Sequence, residues 1–102
     1  MRVMLKISIP TEDGNKAIRD GSLGKTIETA MAELKPEAAY FTVDGGKRTA
    51  FMVLDMKDSS QMPVIGERFF FALNASIEVV PVMNADDLKK GLPVAMAALA
   101  AA

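Results

Sequence analysis

Six side chains in this sequence have the chemistry to hold or activate a small molecule: Lys6, Asn15, Arg19, Tyr40, Asp55 and Glu78. Lys6 stands among apolar residues in the run Val3-Met-Leu-Lys-Ile-Ser-Ile9. A lysine desolvated by such neighbours loses proton affinity and can act as a base or bind an anion. The plainer reading is a stem that snorkels and leaves its ammonium in water. Tyr40 is the only tyrosine; its hydroxyl can orient a carbonyl or phenolic ligand, or the ring simply packs with a wet tip. Asp55 follows an apolar run, where a carboxyl rises in pKa towards the range of a general base, unless the strand end is solvated. Glu78 is placed to pair with Lys6 across neighbouring strands, as part of a site or as a structural pair. Asn15 and Arg19, with Asp20, cluster near the start of the first helix. They serve there either as the mouth of a pocket or as a solvated terminus.

Other chemistry is excluded by composition. The 102 residues include no cysteine and no histidine. This removes disulfides, thiolate nucleophiles, Cys/His zinc sites, a His-ligated haem and any Ser-His-Asp triad. No acidic run resembles a calcium loop. No cofactor is expected. Net charge is −1, and acidic and basic residues are dispersed. No basic stripe or finger spacing points to nucleic acid. The longest apolar stretch, Leu92–Ala102, falls well short of the roughly 20 residues that span a bilayer. Strand-like sequence follows Met1 at once, with no signal-peptide pattern, so a cytoplasmic location is expected.

The elements that must position these residues are read from periodicity. Val3, Leu5, Ile7 and Ile9 alternate with Arg2, Met4, Lys6 and Ser8, which predicts a strand over 2–9 ended by Pro10. Residues 11–14 read as polar loop. Leu23, Ile27, Ala30, Met31 and Leu34 recur at helical spacing within a helix over 15–34, with Ser22 as a candidate cap and a candidate break at Gly21. Asp44-Gly45-Gly46-Lys47 joins strands over 39–43 and 48–56 in a tight hairpin. Met62, Ile65, Phe69 and Leu73 form the stripe of a helix over 61–73, capped by Ser59 or Ser60 and closed by Asn74. Phe69, Phe70 and Phe71 cannot all lie on that stripe, because successive residues are about 100° apart. A fourth strand covers 76–83, with Pro81 marking an edge or a bulge. Asn84, the acidic pair Asp86 and Asp87, and Lys89 and Lys90 predict a short last helix stopped by Gly91. The alanine-rich residues 93–102 then read as a frayed or disordered tail.

The order β-α-β-β-α-β within one domain, residues 1–92, is that of a ferredoxin-like α+β fold: a four-stranded antiparallel sheet with two helices on one face. The other face should then be polar if it is wet. The third strand is apolar on both faces: Phe51 and Val53 on one, Ala50, Met52, Leu54 and Met56 on the other. Val79, Val80 and Val82 repeat this in the fourth strand. Something must cover the second face. The expectation is a homodimer packed sheet to sheet, with Met52 and Leu54 at the interface. The alternative is that the C-terminal helix folds back over the sheet. Arg48 and Thr49 read as edge-strand residues that discourage aggregation. The eight methionines suit an adaptable cavity or ordinary core filling.

The segments Leu34-Lys-Pro-Glu-Ala-Ala-Tyr-Phe41, Gly46-Lys-Arg-Thr-Ala-Phe51, Leu73-Asn-Ala75, Pro81-Val-Met-Asn84 and Asp87-Leu-Lys-Lys-Gly-Leu92 together resemble a group of short bacterial proteins of the dimeric α/β-barrel superfamily. The resemblance covers residues 1–92. That group carries no established reaction. The wider superfamily includes cofactor-free monooxygenases, muconolactone isomerases, haem-dependent chlorite dismutases and ligand-sensing regulators, and the haem branch depends on histidine, which this chain lacks. Two functions follow as expectations. One is a homodimeric protein binding a small, partly apolar ligand in a pocket at the sheet. The other is a cofactor-independent monooxygenase or isomerase acting on an activated aromatic or lactone, with Lys6, Tyr40 and Asp55 moving protons or orienting substrate. An enzyme requires these polar groups to converge on one concave site.

Overall fold

A computed structural model describes residues 1–101. The elements run β1 (Arg2–Ile9), α1 (Thr11–Arg19), α2 (Ser22–Leu34), β2 (Ala38–Asp44), β3 (Lys47–Asp55), α3 (Gln61–Leu73), β4 (Ser76–Pro81) and α4 (Ala85–Ala101). The four strands form one antiparallel sheet in the order β2-β3-β1-β4. This α+β architecture is consistent with a ferredoxin-like fold.

The alternation in β1 sets the layers. Val3, Leu5, Ile7 and Ile9 are all buried. Antiparallel pairing places directly opposed residues on the same face. Val3 faces Leu54, Leu5 faces Met52 and Ile7 faces Ala50, so these three residues of β3 join the same core. Ala17 of α1, Ala30 of α2 and Ile65, Phe69 and Leu73 of α3 complete it. The helix-facing layer is therefore built by period two in the strands and period 3.6 in the helices.

Met52 and Leu54 thus lie inside the single chain, at 0% and 2% exposure, not at a subunit interface as the sequence suggested. A strand apolar on both faces does not reveal which face meets the helices. Its register against β1 decides that, and it leaves Phe51 and Val53 on the open side.

Several local expectations are met. α3 keeps its bounds, and Asn74 adopts the left-handed conformation at its end, φ 51°. The hairpin turns at Gly45 and Gly46, both at positive φ, which glycine adopts without a Cβ clash. Phe69 is buried, while Phe70 is 46% and Phe71 88% exposed. Asn84 caps α4: its Oδ1 accepts from Asp87 N at 2.8 Å, and Asp87 Oδ2 accepts from Asn84 N at 3.0 Å, a reciprocal capping box.

Others are not met. Residues 11–14 are helical, not loop, and the first helical region is two helices split at Gly21, φ 81°. α1 buries only Gly14 and Ala17, so it leaves almost no apolar stripe in the sequence. Its acidic first turn, Glu12 and Asp13, and basic last turn, Lys16 and Arg19, favour the helix by complementing its dipole. Gly21, not Ser22, precedes α2, and Asp20 Oδ1 accepts from Ser22 N at 2.8 Å. Ser60 precedes α3 without a side-chain cap of its own; Asp58 Oδ1 accepts from its N–H at 2.9 Å. Gly91 does not stop α4, which continues through Pro93 to Ala101. Alanine has the strongest helix propensity, and it carries the helix past both breakers. No residue of α4 is buried. The last helix therefore does not fold back over the sheet, and the open face stays open to this chain. Ala102 lies outside the described residues.

No helix among the described residues is long and apolar enough to cross a membrane.

Candidate functional site

The open face of the sheet is ordered in rows across the strands. From the registers, Glu78, Lys6, Phe51 and Tyr40 form one row. Val80, Met4, Val53 and Ala38 form the next, and this row is wholly apolar. On the other side lie Ser76, Ser8, Thr49 and Thr42, a row of hydroxyls. The face therefore grades from apolar to polar along the strands, with Lys6 in the middle. Three of the six candidate residues, Lys6, Tyr40 and Glu78, share this central row.

Lys6 does lie on the helix-free side, as its alternation with Leu5 and Ile7 requires. Its partner is one that strand adjacency does not predict. The ammonium stands 2.6 Å from Asp44 Oδ2. Asp44 opposes Lys47 at the hairpin end of β2, so the lysine reaches diagonally across β3, past the position of Thr49. Thr49 is buried at 3% exposure, and its hydroxyl donates to Lys47 O at 3.1 Å. The hydrogen bond and charge of Asp44 raise the Lys6 pKa, with a smaller contribution from Glu78, and Lys6 in turn lowers that of Asp44. The lysine is therefore firmly cationic and unsuited to act as a base, contrary to one reading of its apolar sequence neighbours. Both partners are partly exposed, at 35% and 46% of their side chains, where an ion pair is weakly stabilising.

The sign of the pH effect follows directly. The Asp44 contribution is present above the unfolded carboxyl pKa of about 3.9 and is lost as pH falls through its lower folded value. The Lys6 contribution is present below about 10.4 and is lost as pH rises through its higher folded value. With no histidine in the chain, stability is expected to be flat between about pH 5 and pH 7. Thermal melts across that range check this, and a step near neutrality would contradict it. Lys6→Met should leave the fold intact, because the Asp44 carboxylate it abandons is half-exposed and can hydrate.

The remaining candidates are elsewhere. Asp55 opposes Arg2 at the far end of β1, and its Oδ1 lies 2.8 Å from the amine of Met1. That ammonium lowers the Asp55 pKa, the reverse of the rise expected beside an apolar run. Here charge pairing outweighs desolvation. Arg2 meanwhile pairs with Glu37, and with Asp87 at 3.5 Å. This network lines an open groove of about 630 Å³ between the end of β1, β4 and the start of α4. Its charges are satisfied internally, and they pin the root of α4.

Asn15 lies on α1, on the helix side of the sheet. Its Oδ1 accepts a hydrogen bond from Arg48 Nη2 at 3.0 Å. Arg19 is exposed at the end of α1. The six candidates therefore divide among the central open row, the N-terminal end of the sheet and the opposite layer. They do not converge on one concave site within the chain.

Asp44, Glu37 and Asp87 are ionic partners that sequence reasoning does not assign, and Arg48, read there with Thr49 as an edge-strand residue, stands on β3 in the interior of the sheet. Asp44 reads as part of the hairpin turn and Asp87 as a helix start; both roles are real, and each residue performs a second one. No group of three or more acidic residues among those described is placed to hold a metal ion. No protein-family model matches the chain, and no curated protein does.

Proposed function

We propose that this chain is a homodimeric binding protein of the dimeric α/β-barrel kind, taking a small, partly apolar ligand in a pocket at its sheet. The observation that carries the reading is the uncovered sheet face. Met4, Phe51, Val53, Tyr40 and Val80 lie on the open side of the register, and the chain's own last helix turns away from them. Tyr40 is 70% and Val80 43% exposed.

The surface total supports a partner. A folded monomer of 10.9 kDa exposes roughly 5,600 Å². This chain exposes 6940 Å². Its Cα radius of gyration is 16.9 Å, against about 13 Å for a compact domain of this length. The surplus is about 1,300 Å², and the unpacked α4, with no buried residue, contributes to it. It exceeds the roughly 800 Å² that each partner loses in an ordinary stable interface. Sheet-to-sheet packing of two copies covers the apolar row and leaves the hydroxyl row and the Lys6–Asp44 pair towards one end of the seam.

Light scattering on eluting protein at micromolar concentration tests the assembly. A mass of twice 10.9 kDa is expected; a well-folded species of single mass overturns the reading. The alternative of a cofactor-independent enzyme has no converging set of groups to support it.

A further inference from the structure

Four cationic side chains in this protein are partly buried: Arg2, Lys6, Arg48 and Arg68. Three of them hold a carboxylate. Arg2 has Glu37 and Asp87, Lys6 has Asp44, and Arg68 has Glu33 at 2.8 Å. Arg48 has none within 4.0 Å among the described residues. Its side-chain partner is the neutral amide oxygen of Asn15. A guanidinium offers five N–H donors in a planar fork that matches a carboxylate, and most of this fork is left without a protein acceptor.

The surroundings of Arg48 are specific. It borders a notch of about 200 Å³ between α2 and the β2–β3 hairpin, walled mostly by Ile9, Leu23, Ile27, Phe41 and Ala50, with Thr42 and Thr49 also lining it. Phe41, a large ring on an edge strand, is 58% exposed. The guanidinium is also given room by a bare backbone. A Cβ on Gly14 of α1 would stand 2.6 Å from Arg48 Nη1 and 3.3 Å from Ile9 Cγ2. A cation that lies against apolar walls interacts more strongly with an anion than one in open water.

We infer that this notch binds a small monocarboxylic acid with an aromatic or branched apolar body, its carboxylate on Arg48 and its body against Leu23, Ile27 and Phe41. A single guanidinium balances one negative charge, so a phosphate dianion would leave charge uncompensated among apolar walls. The volume is below the roughly 300 Å³ at which drug-sized pockets begin, so the acid is small. This inference goes beyond the binding function proposed above, because the notch lies on the helix side of the sheet and not on its open face. It does not depend on the dimer, because all the walls belong to one chain.

Benzoate, 3-methylbutanoate, benzamide and inorganic phosphate are the probes, titrated into the full chain and followed by calorimetry and by backbone amide shifts. Benzoate or 3-methylbutanoate is expected to bind, with shifts concentrated at Leu23, Ile27, Phe41 and Ala50, and benzamide and phosphate are not. Arg48→Met should weaken binding about tenfold or more, the usual consequence of losing a charge-assisted hydrogen bond. Gly14→Ala keeps the charge and crowds the guanidinium, so it should weaken binding while the variant still folds, the gain in helix propensity offsetting the tighter contact with Ile9. Arg48→Lys should fall between wild type and Arg48→Met, and it serves where the methionine variant fails to fold. Equal binding of benzoate and benzamide, equal binding to wild type and Arg48→Lys, or no carboxylate binding up to about 10 mM overturns the inference. If uncharged apolar compounds bind at Met4, Phe51 and Val53 while carboxylates do not, the Arg48 site falls and the wider binding function stands. If no probe of either kind binds, both fall.

Discussion

Replacing Phe51 and Val53 together by glutamate is expected to halve the mass in solution and leave a folded monomer. Both residues face away from the helices, opposite Lys6 and Met4 of β1. Neither contributes to the core cluster formed by Val3, Leu5, Ile7 and their partners. In the proposed dimer they lie at the centre of the seam, where large apolar and aromatic side chains carry most of the binding free energy. Removing two central apolar side chains, at about 2 kcal/mol each, weakens association roughly a thousandfold. The added charges also repel their symmetry mates across a two-fold axis. Far-ultraviolet circular dichroism should be unchanged, and light scattering should report the single mass. The counterpart is Met52→Glu. That side chain is 0% exposed in the core of each chain, and an unpaired charge there costs about 3–5 kcal/mol or more. It should abolish folding, not merely association. If Phe51→Glu/Val53→Glu runs at the parent's mass, the open face is not the seam.

The contrast between neighbours one residue apart shows what periodicity carries and where it stops. In β1 the alternation of Val3, Leu5, Ile7 and Ile9 with Arg2, Met4, Lys6 and Ser8, only one of them apolar, names the buried face. The hairpin is equally plain, because two consecutive glycines at positive φ join two β-rich runs. In β3 every position from Ala50 to Leu54 is apolar, so period two yields two faces and no choice between them. The choice is made by hydrogen-bonded register with β1, a relation between residues far apart in sequence, such as Leu5 and Met52. That is why periodicity puts Met52 and Leu54 at an interface while the structure puts them in the core.

The same non-local dependence governs the charges. Strand adjacency puts Lys6 within reach of Glu78. Glu78 does oppose it, yet the ammonium extends the other way to Asp44, because a lysine stem is long enough to cross the intervening strand diagonally. Asp55 is taken by the amine of Met1. α1 is nearly invisible in the sequence because a short helix that buries a glycine and an alanine presents no stripe of large apolar residues. α4 reads as shorter than it is because glycine and proline are strong local breakers. They cost about 1 and 3 kcal/mol in a helix interior, and the surrounding alanines, with the Asn84–Asp87 cap, offset them.

Phe69→Ala is expected to lower stability by about 3–5 kcal/mol, the range for emptying a buried phenylalanine site. The ring is 0% exposed and among the largest fully buried side chains in the chain. It projects from the middle of α3 into the cluster containing Leu5, Ile7 and Met52. These neighbours are anchored in the two central strands and cannot collapse far into the space, so the cavity persists and adds to the lost transfer free energy. A domain of this size has about 5–15 kcal/mol in total, and a dimer adds a concentration-dependent share. Urea melts at fixed protein concentration should therefore show a large fall in midpoint with little change in slope. Phe71→Ala is the internal control. Two residues on, about 200° around the helix, Phe71 is 88% exposed, and its loss should change stability by no more than about 0.5 kcal/mol. The pair tests the orientation of α3 directly. Equal losses at both positions would mean that the helix presents a different face to the sheet. The core that fixes the open side, the seam and the Arg48 notch would then need to be redrawn.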